Sequence, residues 1–442
     1  MDQRAALSVP AFRALWTAGL ISDTGDWLLL IALPIVVYQL TGSALGTSVA
    51  FAAELGPGIV LAPLGGRLAD GLDRRVLLIA LSALQAVAVL PLLLVHGRQG
   101  LVIVYAVIVV QASLAALFDP AKNALLPTLV EPRQLVSANS MVGLGSAAGR
   151  LAGGPLGGLL LAAGSLQTIV VADALSFAAA ALLIARVPRT CARDRDGAQG
   201  GRGRGSADAR PGRPRAAGGL RAVLRHRSVA AALLVALVAD TAQGIFVVLF
   251  IVFVARRLHG GSAEIGLLRG VQAVGAIGGA LLLAMRGDRW RPVVLVAVAA
   301  IAFGLLDLTI WNGPALTTSM ALYVALFALA GAPGVTMETG GISFLQAAVS
   351  DSERGRAFAA VGLTENAGQA LGIVAAGLLT APLGLTALLD AQAGLYLISG
   401  ALVLVFAGVG ARPSRTAHRR MTGRRDGLVV GRRTGPTGSS ER

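Results

Sequence analysis

The chain has 442 residues, of which 55% are apolar and only 14% are charged, with a formal net charge of +15. Soluble domains carry roughly 25% charged residues, so this composition excludes a soluble protein and indicates a polytopic membrane protein. A single cysteine, Cys191, excludes a disulfide scaffold and a multi-cysteine metal site, and the four scattered histidines disfavour a zinc enzyme.

Twelve mainly apolar stretches are long enough to cross a bilayer, which takes about 20 residues. They are residues 13–39, 44–67, 75–95, 101–118, 137–163, 167–187, 229–255, 264–285, 292–311, 317–345, 357–381 and 388–410. We therefore predict an all-α polytopic membrane protein with twelve transmembrane helices. The chain start carries no apolar stretch followed by a cleavage site, so a removable signal peptide is not expected.

The spans divide into two six-helix halves, residues 1–187 and 229–410. With both termini cytoplasmic, 33 of the 38 Lys and Arg residues lie on the inner side, as the positive-inside rule requires. Residues 188–228 are predicted to form an Arg- and Gly-rich cytoplasmic linker that ends in a short amphipathic helix at 220–227. The linker charges favour contact with anionic lipid over nucleic acid. Residues 411–442 are predicted to be a basic, disordered cytoplasmic tail.

The two halves resemble each other at a nearly constant offset. Asp23-Thr24 in span 1 recurs as Asp240-Thr241 in span 7, and the cytoplasmic segment that begins at Val130 recurs at Val349, displaced by almost the same number of positions. Each match lies in the equivalent span or loop, which suggests a duplication. Two parallel six-helix repeats are typical of alternating-access carriers with a site near the membrane midplane.

Ten Asp, Glu and Arg residues lie more than three residues from either end of a predicted span, where lipid exposure costs about 2.5–3.5 kcal/mol each. Six lie near the middle and are the proton-coupling candidates: Asp23, Asp26, Glu54, Arg150, Asp240 and Glu365. Asp23 and Asp26 are three residues apart on one helix face, and crowded carboxylates disfavour each other's ionisation, so one of them is predicted to hold a proton. Arg150 is the expected counter-ion of Asp26 or Glu54. Ion pairs that only fix helix packing are the alternative for any single residue.

The other four ionisable residues lie nearer the span ends. Asp173, Arg269 and Asp307 are close to the outer ends of their spans, where structural pairing or snorkelling explains them at least as well as function does. Glu338 lies toward the inner end of span 10, which makes it a candidate for a gate.

The loop after the second span carries the most specific motif. Residues 66–75 resemble the loop signature of the major facilitator superfamily, a Gly-x-Leu-Ala-Asp run that ends in paired basic residues. Other segments are similar to the branch of proton-coupled exporters that contains macrolide-efflux pumps and the enterobactin exporter: residues 22–26, 34, 118–121, 126–127, 138–140, 173, 176–177 and 354–356. The resemblance covers nearly the whole chain outside linker and tail, and implies a twelve-helix carrier that couples export to protons.

In that family the motif aspartate faces the start of span 11, and a motif arginine faces an acid at the base of span 4. The resemblance puts these roles on Asp70, Arg74 and Asp119. The cytoplasmic gate or latch candidates are Gly66, Asp70, Arg74, Arg75, Asp119, Glu338, Arg354 and Arg356. A carboxylate at a helix N-terminus gains about 0.3–1 kcal/mol, which suits a latch that has to open. A merely solvated turn is the alternative.

Span 5 carries glycines at every fourth position, a pattern that allows close helix packing. This packing motif consists of Gly145, Gly149, Gly153, Gly154, Pro155 and Gly157. Its run at 153–158 resembles the Gly-Pro motif of the family's antiporters. Span 8 offers a candidate partner in its own glycines, and close packing between them would seal the two halves against leak. Plain close packing is an equal explanation.

These features together predict a secondary active transporter. The first hypothesis is a proton-coupled exporter of a small amphipathic or hydrophobic compound such as a drug, antibiotic or siderophore. Proton-coupled uptake of a small polar solute is the alternative. A membrane enzyme or a non-transporting scaffold is disfavoured, because we find no phosphate-binding loop, nucleophile elbow or paired metal ligands. The expected partners are the small-molecule substrate, protons and the lipid bilayer, with no cofactor, metal or nucleic acid. We expect a monomer in the cell (inner) membrane.

Overall fold

The computed structural model describes residues 7–188, 227–286, 291–349 and 351–410. These residues form twelve long α-helices and contain no strand, so the predicted all-α fold is confirmed. The helices are α1 Pro10–Thr41, α2 Ala44–Gly71, α3 Arg74–Ala88, α4 Leu101–Leu129, α5 Leu135–Ala163, α6 Leu166–Ala185, α7 Arg227–Arg257, α8 Ser262–Arg286, α9 Pro292–Asn312, α10 Met320–Ala348, α11 Asp351–Leu383 and α12 Leu385–Gly410. The predicted tail and most of the predicted linker, with its amphipathic helix, lie outside the described residues.

Each predicted span corresponds to one helix. Eleven helices are long and apolar enough to cross a membrane, and the twelfth, α5, has a shorter apolar stretch at Ala152–Ala163. The largest difference is in α4, which continues to Leu129 although its span was predicted to end at residue 118. The helix tolerates the polar residues beyond that point because Lys122 pairs with Asp119 at 3.1 Å, three residues away on the same face.

The six helices of each half pack in the same pattern. In the N-terminal half α1 packs extensively on α5, α2 on α4, and α3 on α6, and in the C-terminal half α7 packs on α11, α8 on α10, and α9 on α12. Each C-terminal pair is an N-terminal pair shifted by six helices, which is the pattern of a parallel repeat. The contacts of α5 with α8 and of α2 with α11 join the halves, and they are related by the same shift.

Glycines bring the first and fifth helices of each half close together. A Cβ atom built on Gly149 would lie 3.1 Å from the Cβ of Asp23, and one built on Gly368 would lie 3.1 Å from the Cβ of Asp240. The other stripe glycines approach the same helix: Gly145 meets Trp16, Gly153 meets Thr24, and Gly157 meets Leu28. The stripe therefore packs on α1 inside its own half, and the prediction that it faces span 8 is wrong.

The seal between the halves uses a neighbouring glycine instead. Gly158 of α5 touches Gly266 of α8 so closely that neither position has room for a side chain. Gly158 follows the last stripe glycine directly, and one residue turns an α-helix by about 100°, so it points away from α1 and toward the other half. A Cβ atom built on Gly154 would lie 3.9 Å from Ile31, and the side chain of Pro155 is outside the described part of the chain.

The two halves close on each other at the end where α1 turns into α2. Arg256 of α7 donates from Nε to the Tyr38 hydroxyl at 2.9 Å and from Nη2 to the Gly42 carbonyl oxygen at 2.7 Å. At the same end Gly377 of α11 packs on Ser48 of α2. The distribution of basic residues predicts that this is the outer end, so the protein is closed on the side predicted to face outside.

Candidate functional site

Three polar side chains from three helices line a small cavity in the N-terminal half. Asp26 of α1, Glu54 of α2 and Gln111 of α4 border about 180 Å³, and most of the remaining wall is apolar. Gln111 donates from Nε2 to the carbonyl oxygen of Gln85 at 3.1 Å. Its own side-chain oxygen is buried and accepts no hydrogen bond within the described structure. The cavity thus combines two predicted proton-coupling acids with an acceptor that a protonated carboxyl group can satisfy.

Asp23 lies one turn earlier on α1 and faces α5 instead. The Ser146 hydroxyl donates to a carboxylate oxygen of Asp23 at 2.5 Å. Asp26 is exposed to the cavity, whereas Asp23 is half-buried, so the two acids share one side of α1 but have different surroundings. The side chain of Arg150 lies outside the described part of the structure, and its pairing with Asp26 or Glu54 stays a prediction.

A much larger cavity, of about 1,210 Å³, lies inside the C-terminal half. Its described lining comes from α7, α9, α10, α11 and α12, at the ends predicted to face the cytoplasm. Asp240, Glu338 and Glu365 line it, and none of these carboxylates has a hydrogen-bond donor or an ion-pair partner among the described residues. Arg291, the N-cap residue of α9, also borders the cavity. Three of the predicted acids are therefore brought together in one site.

The repeat explains how this carboxylate cluster arises. The repeat relates Asp240 of α7 to Asp23 of α1. At nearly the same offset, it relates Glu365 of α11 to Ser146 of α5. Where the N-terminal half pairs its aspartate with a serine hydroxyl, the C-terminal half places a second carboxylate at the related position. The two halves therefore share a backbone arrangement and differ in charge.

Two of the three ionisable residues near the outer span ends, Asp307 and Arg269, have packing or hydrogen-bond partners. Asp307 is almost fully buried and accepts a hydrogen bond from Gln392 Nε2 at 2.8 Å, and the Gln392 oxygen accepts one from Trp311 Nε1 at 2.9 Å. Arg269 stacks over two phenylalanine rings of α7, with centroids 5.0 and 5.8 Å from its guanidinium carbon. Asp173 is fully buried, and neither of its carboxylate oxygens has a hydrogen-bond partner among the described residues.

The loop between α2 and α3 does not make one of the predicted latch contacts. Arg74 donates from Nε to the Ala69 carbonyl oxygen at 3.1 Å and from Nη1 to the Ala124 carbonyl oxygen at 3.4 Å. Asp119 pairs with Lys122. The predicted Arg74–Asp119 ion pair is not formed in this conformation, in which Asp119 pairs with the cation one turn later on its own helix.

The contact predicted for Asp70 with the start of α11 stays a prediction, because the side chains of residues 351–354 lie outside the described structure. Asp70 is exposed and makes neither a hydrogen bond nor an ion pair with a described residue. Arg75 donates from Nη2 to the last carbonyl oxygen of α6 at 2.5 Å, which ties the loop to its own half. The side chain of Arg354, in the first turn of α11, lies outside the described structure, and Arg356 is exposed. The gate roles of Gly66 and these arginines stay predictions.

Sequence reasoning missed four polar residues of the two cavities, one of which is Arg291 at the border of the larger cavity. Gln111 is the one amide side chain in the apolar span 101–118, and that was the available signal. Gln243 is the repeat counterpart of Asp26, at the same offset that relates Asp240 to Asp23, and accepts a hydrogen bond from the Tyr396 hydroxyl at 3.1 Å. The repeat offset would have identified Gln243, whereas nothing in the sequence indicated the partner on α12.

Comparison with known proteins gives a family and two partial relatives. The family described as transmembrane secretion effector, of the MFS type, matches residues 2–437. Over 170 residues the chain is 32% identical to an uncharacterized MFS-type transporter, YfiS, of Bacillus subtilis (strain 168). The matched segment covers 38% of this chain and 40% of that protein. Over 189 residues the chain is 33% identical to the multidrug efflux pump Tap of Mycolicibacterium fortuitum, covering 40% and 46%. The chain thus matches less than half the length of these relatives.

A solved structure shows the same fold. The crystal structure of a bacterial homologue of the iron transporter ferroportin, in an inward-facing state, aligns with a TM-score of 0.66 over 90% of this chain and 98% of that one, at 17% identity. The family match over nearly the whole chain confirms the predicted family resemblance and identifies a multi-pass membrane transporter, not an enzyme. With its twelve helices and two repeated halves, the chain belongs to the transmembrane secretion effector family of major facilitator superfamily transporters.

Proposed function

We propose that this protein is a proton-coupled exporter that moves a small amphipathic or hydrophobic compound by alternating access. The observation that carries the proposal is that each half holds a cavity with carboxylates from different helices, inside a transporter fold. Charged carboxylates at membrane depth are costly and mark proton or substrate paths in transporters. The two cavities give the protein separate places for proton exchange and substrate binding.

Proton exchange is assigned to the N-terminal cavity. Asp23 already accepts a hydrogen bond from Ser146, whereas Asp26 and Glu54 line a cavity from two different helices. Because α1 and α2 lie next to the C-terminal half at the closed end, movement of the halves alters the surroundings of both helices. Binding of a proton at one opening and its release at the other then drives the cycle.

Three observations favour export over uptake. The C-terminal cavity lies at the helix ends predicted to be cytoplasmic, where an exporter collects its cargo. Its lining is mostly apolar, which suits an amphipathic compound better than a polar nutrient. The relative Tap, 33% identical over 189 residues, is a multidrug efflux pump. We further propose a monomer in the cell membrane with both termini in the cytoplasm.

The test uses purified protein in proteoliposomes and the compound that most raises its thermal stability in a screen of amphipathic dyes and antibiotics. An imposed pH gradient should drive uptake of that compound by the wild type. Asp26→Asn should abolish this flux and leave binding of the compound measurable. Asp390→Asn is the matched control, because Asp390 is a half-buried acid of α12 that accepts a hydrogen bond from Asn312 and lines neither cavity.

Undiminished gradient-driven flux in Asp26→Asn would remove Asp26 from the mechanism. The direction of transport is measured as accumulation of the compound in cells with and without the protein, because expression of an exporter lowers the accumulated amount. A rise in accumulation on expression would favour the alternative of uptake.

A further inference from the structure

The walls of the C-terminal cavity are unusually aromatic for this chain. Aromatic residues make up only 5% of the sequence, yet five residues that line this cavity are aromatic: Phe303, Phe344, Phe358, Tyr396 and Phe406. Phe303 and Tyr396 stack edge to face with ring centroids 4.8 Å apart. Aromatic faces attract organic cations, and the attraction strengthens where water is excluded.

The charges of the same cavity are predominantly negative. Asp240, Glu338 and Glu365 contribute carboxylates from three helices, against Arg291 at the border. No described residue forms an ion pair with any of the three acids. A carboxylate cluster that has no ion-pair partner among the described residues, bordered by apolar and aromatic walls, complements a ligand that is positively charged and lipophilic.

The cavity also has room for such a ligand. A volume of about 1,210 Å³ exceeds the roughly 300–1,000 Å³ typical of small-molecule sites. Gly334, Gly341 and Gly362 all line it, and a Cβ atom added to any of them would meet no atom within 4 Å. The described residues that line it all belong to the C-terminal half.

We propose that this cavity binds a lipophilic organic cation inside the C-terminal half, with Asp240, Glu365 and Glu338 as counter-charges and the aromatic side chains as walls. This inference rests on the proposed function and names its substrate class. It differs from the proton-exchange assignment, which concerns Asp26 and Glu54 in the other half. The ligand charge is set by the carboxylate cluster, and the lipophilic character by the aromatic and aliphatic lining.

The test compares two ions of the same shape and opposite charge, tetraphenylphosphonium and tetraphenylborate. Calorimetric titration of the purified full-length protein, corrected for protein-free micelles, should show binding of the cation and at least tenfold weaker binding of the anion. Glu365→Gln and Asp240→Asn should each weaken tetraphenylphosphonium binding about tenfold or more, whereas the matched control Asp390→Asn should leave it within twofold.

A second pair of variants tests the location without altering charge. Gly362→Leu fills the cavity and should weaken tetraphenylphosphonium binding. Gly394→Leu is its control, because Gly394 lies in the same half, also has no atom within 4 Å of an added Cβ, and does not line the cavity. Thermal unfolding of each variant shows whether lost binding reflects lost folding, and a variant that does not fold is replaced by the equivalent Gly334→Leu.

Equal affinity for the two ions, or no binding of the cation, would overturn the proposal. So would charge variants that bind the cation as well as Asp390→Asn does, or equal effects of Gly362→Leu and Gly394→Leu. These failures are distinct from failure of the proposed function. A compound can still be exported with a pH gradient when the cation does not bind, and the cation can still bind when Asp26→Asn transports normally.

Discussion

Replacing Gly158 by alanine should open the end of the protein that is closed in this structure. The added methyl group would lie 2.8 Å from the Gly266 amide nitrogen and 2.8 Å from the Ser262 carbonyl oxygen. The Cα atom of Gly266 would lie closer still. Ordinary contacts of carbon atoms start at about 3.5 Å, so α5 and α8 have to separate by roughly 1 Å at this point. The obstructing atoms are backbone atoms of the other half and cannot rotate away.

Forcing one methyl group into a packed contact costs about 1–3 kcal/mol. The cost falls on the conformation in which the halves touch, so the equilibrium should shift about 5–150-fold toward the conformation that is open at this end. Ile35 is the reporter, because it is 1% exposed and packs in the cluster that joins α1 to α7. In a Cys191→Ser, Ile35→Cys background, a membrane-impermeant thiol reagent applied from the predicted outer side should react faster by that factor.

Gly154→Ala provides the matched control, since its methyl group would make only an ordinary contact with Ile31 at 3.9 Å. It should leave the labelling rate unchanged. Equal labelling rates in the two variants would refute the reasoning that Gly158 and Gly266 seal this end. Faster labelling in both would show that any added side-chain volume on α5 opens the protein, and that the Gly158–Gly266 contact is not the specific seal.

Two further predictions concern single hydrogen-bonded contacts. Gln392→Leu removes the side chain that donates to buried Asp307 and accepts from Trp311. It should lower the free energy of unfolding by about 1–3 kcal/mol, measured by denaturant titration in detergent. An unchanged free energy would show that the network contributes nothing to stability. Arg256→Gln removes a charged donor to the Tyr38 hydroxyl at the closed end. It should raise the labelling rate of the Ile35→Cys reporter about tenfold, corresponding to about 1.4 kcal/mol. An unaltered rate would exclude this contact from the seal.

Most of the fold could be predicted from the sequence because membrane spans follow from length and hydropathy. All twelve predicted spans correspond to helices, and the repeat offset of Asp23 and Asp240 reappears as matching contacts of these residues with Gly149 and Gly368. The end of α4 was the largest exception. Hydropathy drops at Asp119, yet the helix continues because an intrahelical ion pair satisfies that charge.

The candidate site was predicted in composition but not in geometry. The sequence identifies Asp240, Glu338 and Glu365 as intramembrane acids, but their convergence on one cavity depends on how α7, α10 and α11 rotate about their axes. Apolar spans without a polar stripe do not reveal that rotation. The same ambiguity put the glycine stripe of α5 against the wrong helix, although its periodicity was read correctly. Gly157 contacts α1, whereas the next residue, Gly158, contacts α8.

The central claim is that substrate and protons move in opposite directions through the same cycle. Proteoliposomes loaded with a pH-sensitive dye and given a gradient of the screened compound, with no initial pH gradient, test it most directly. Movement of the compound down its gradient should drive protons the other way, and Asp26→Asn should abolish this pH change. Transport of the compound with no change in internal pH, or proton movement in the same direction as the compound, would contradict it.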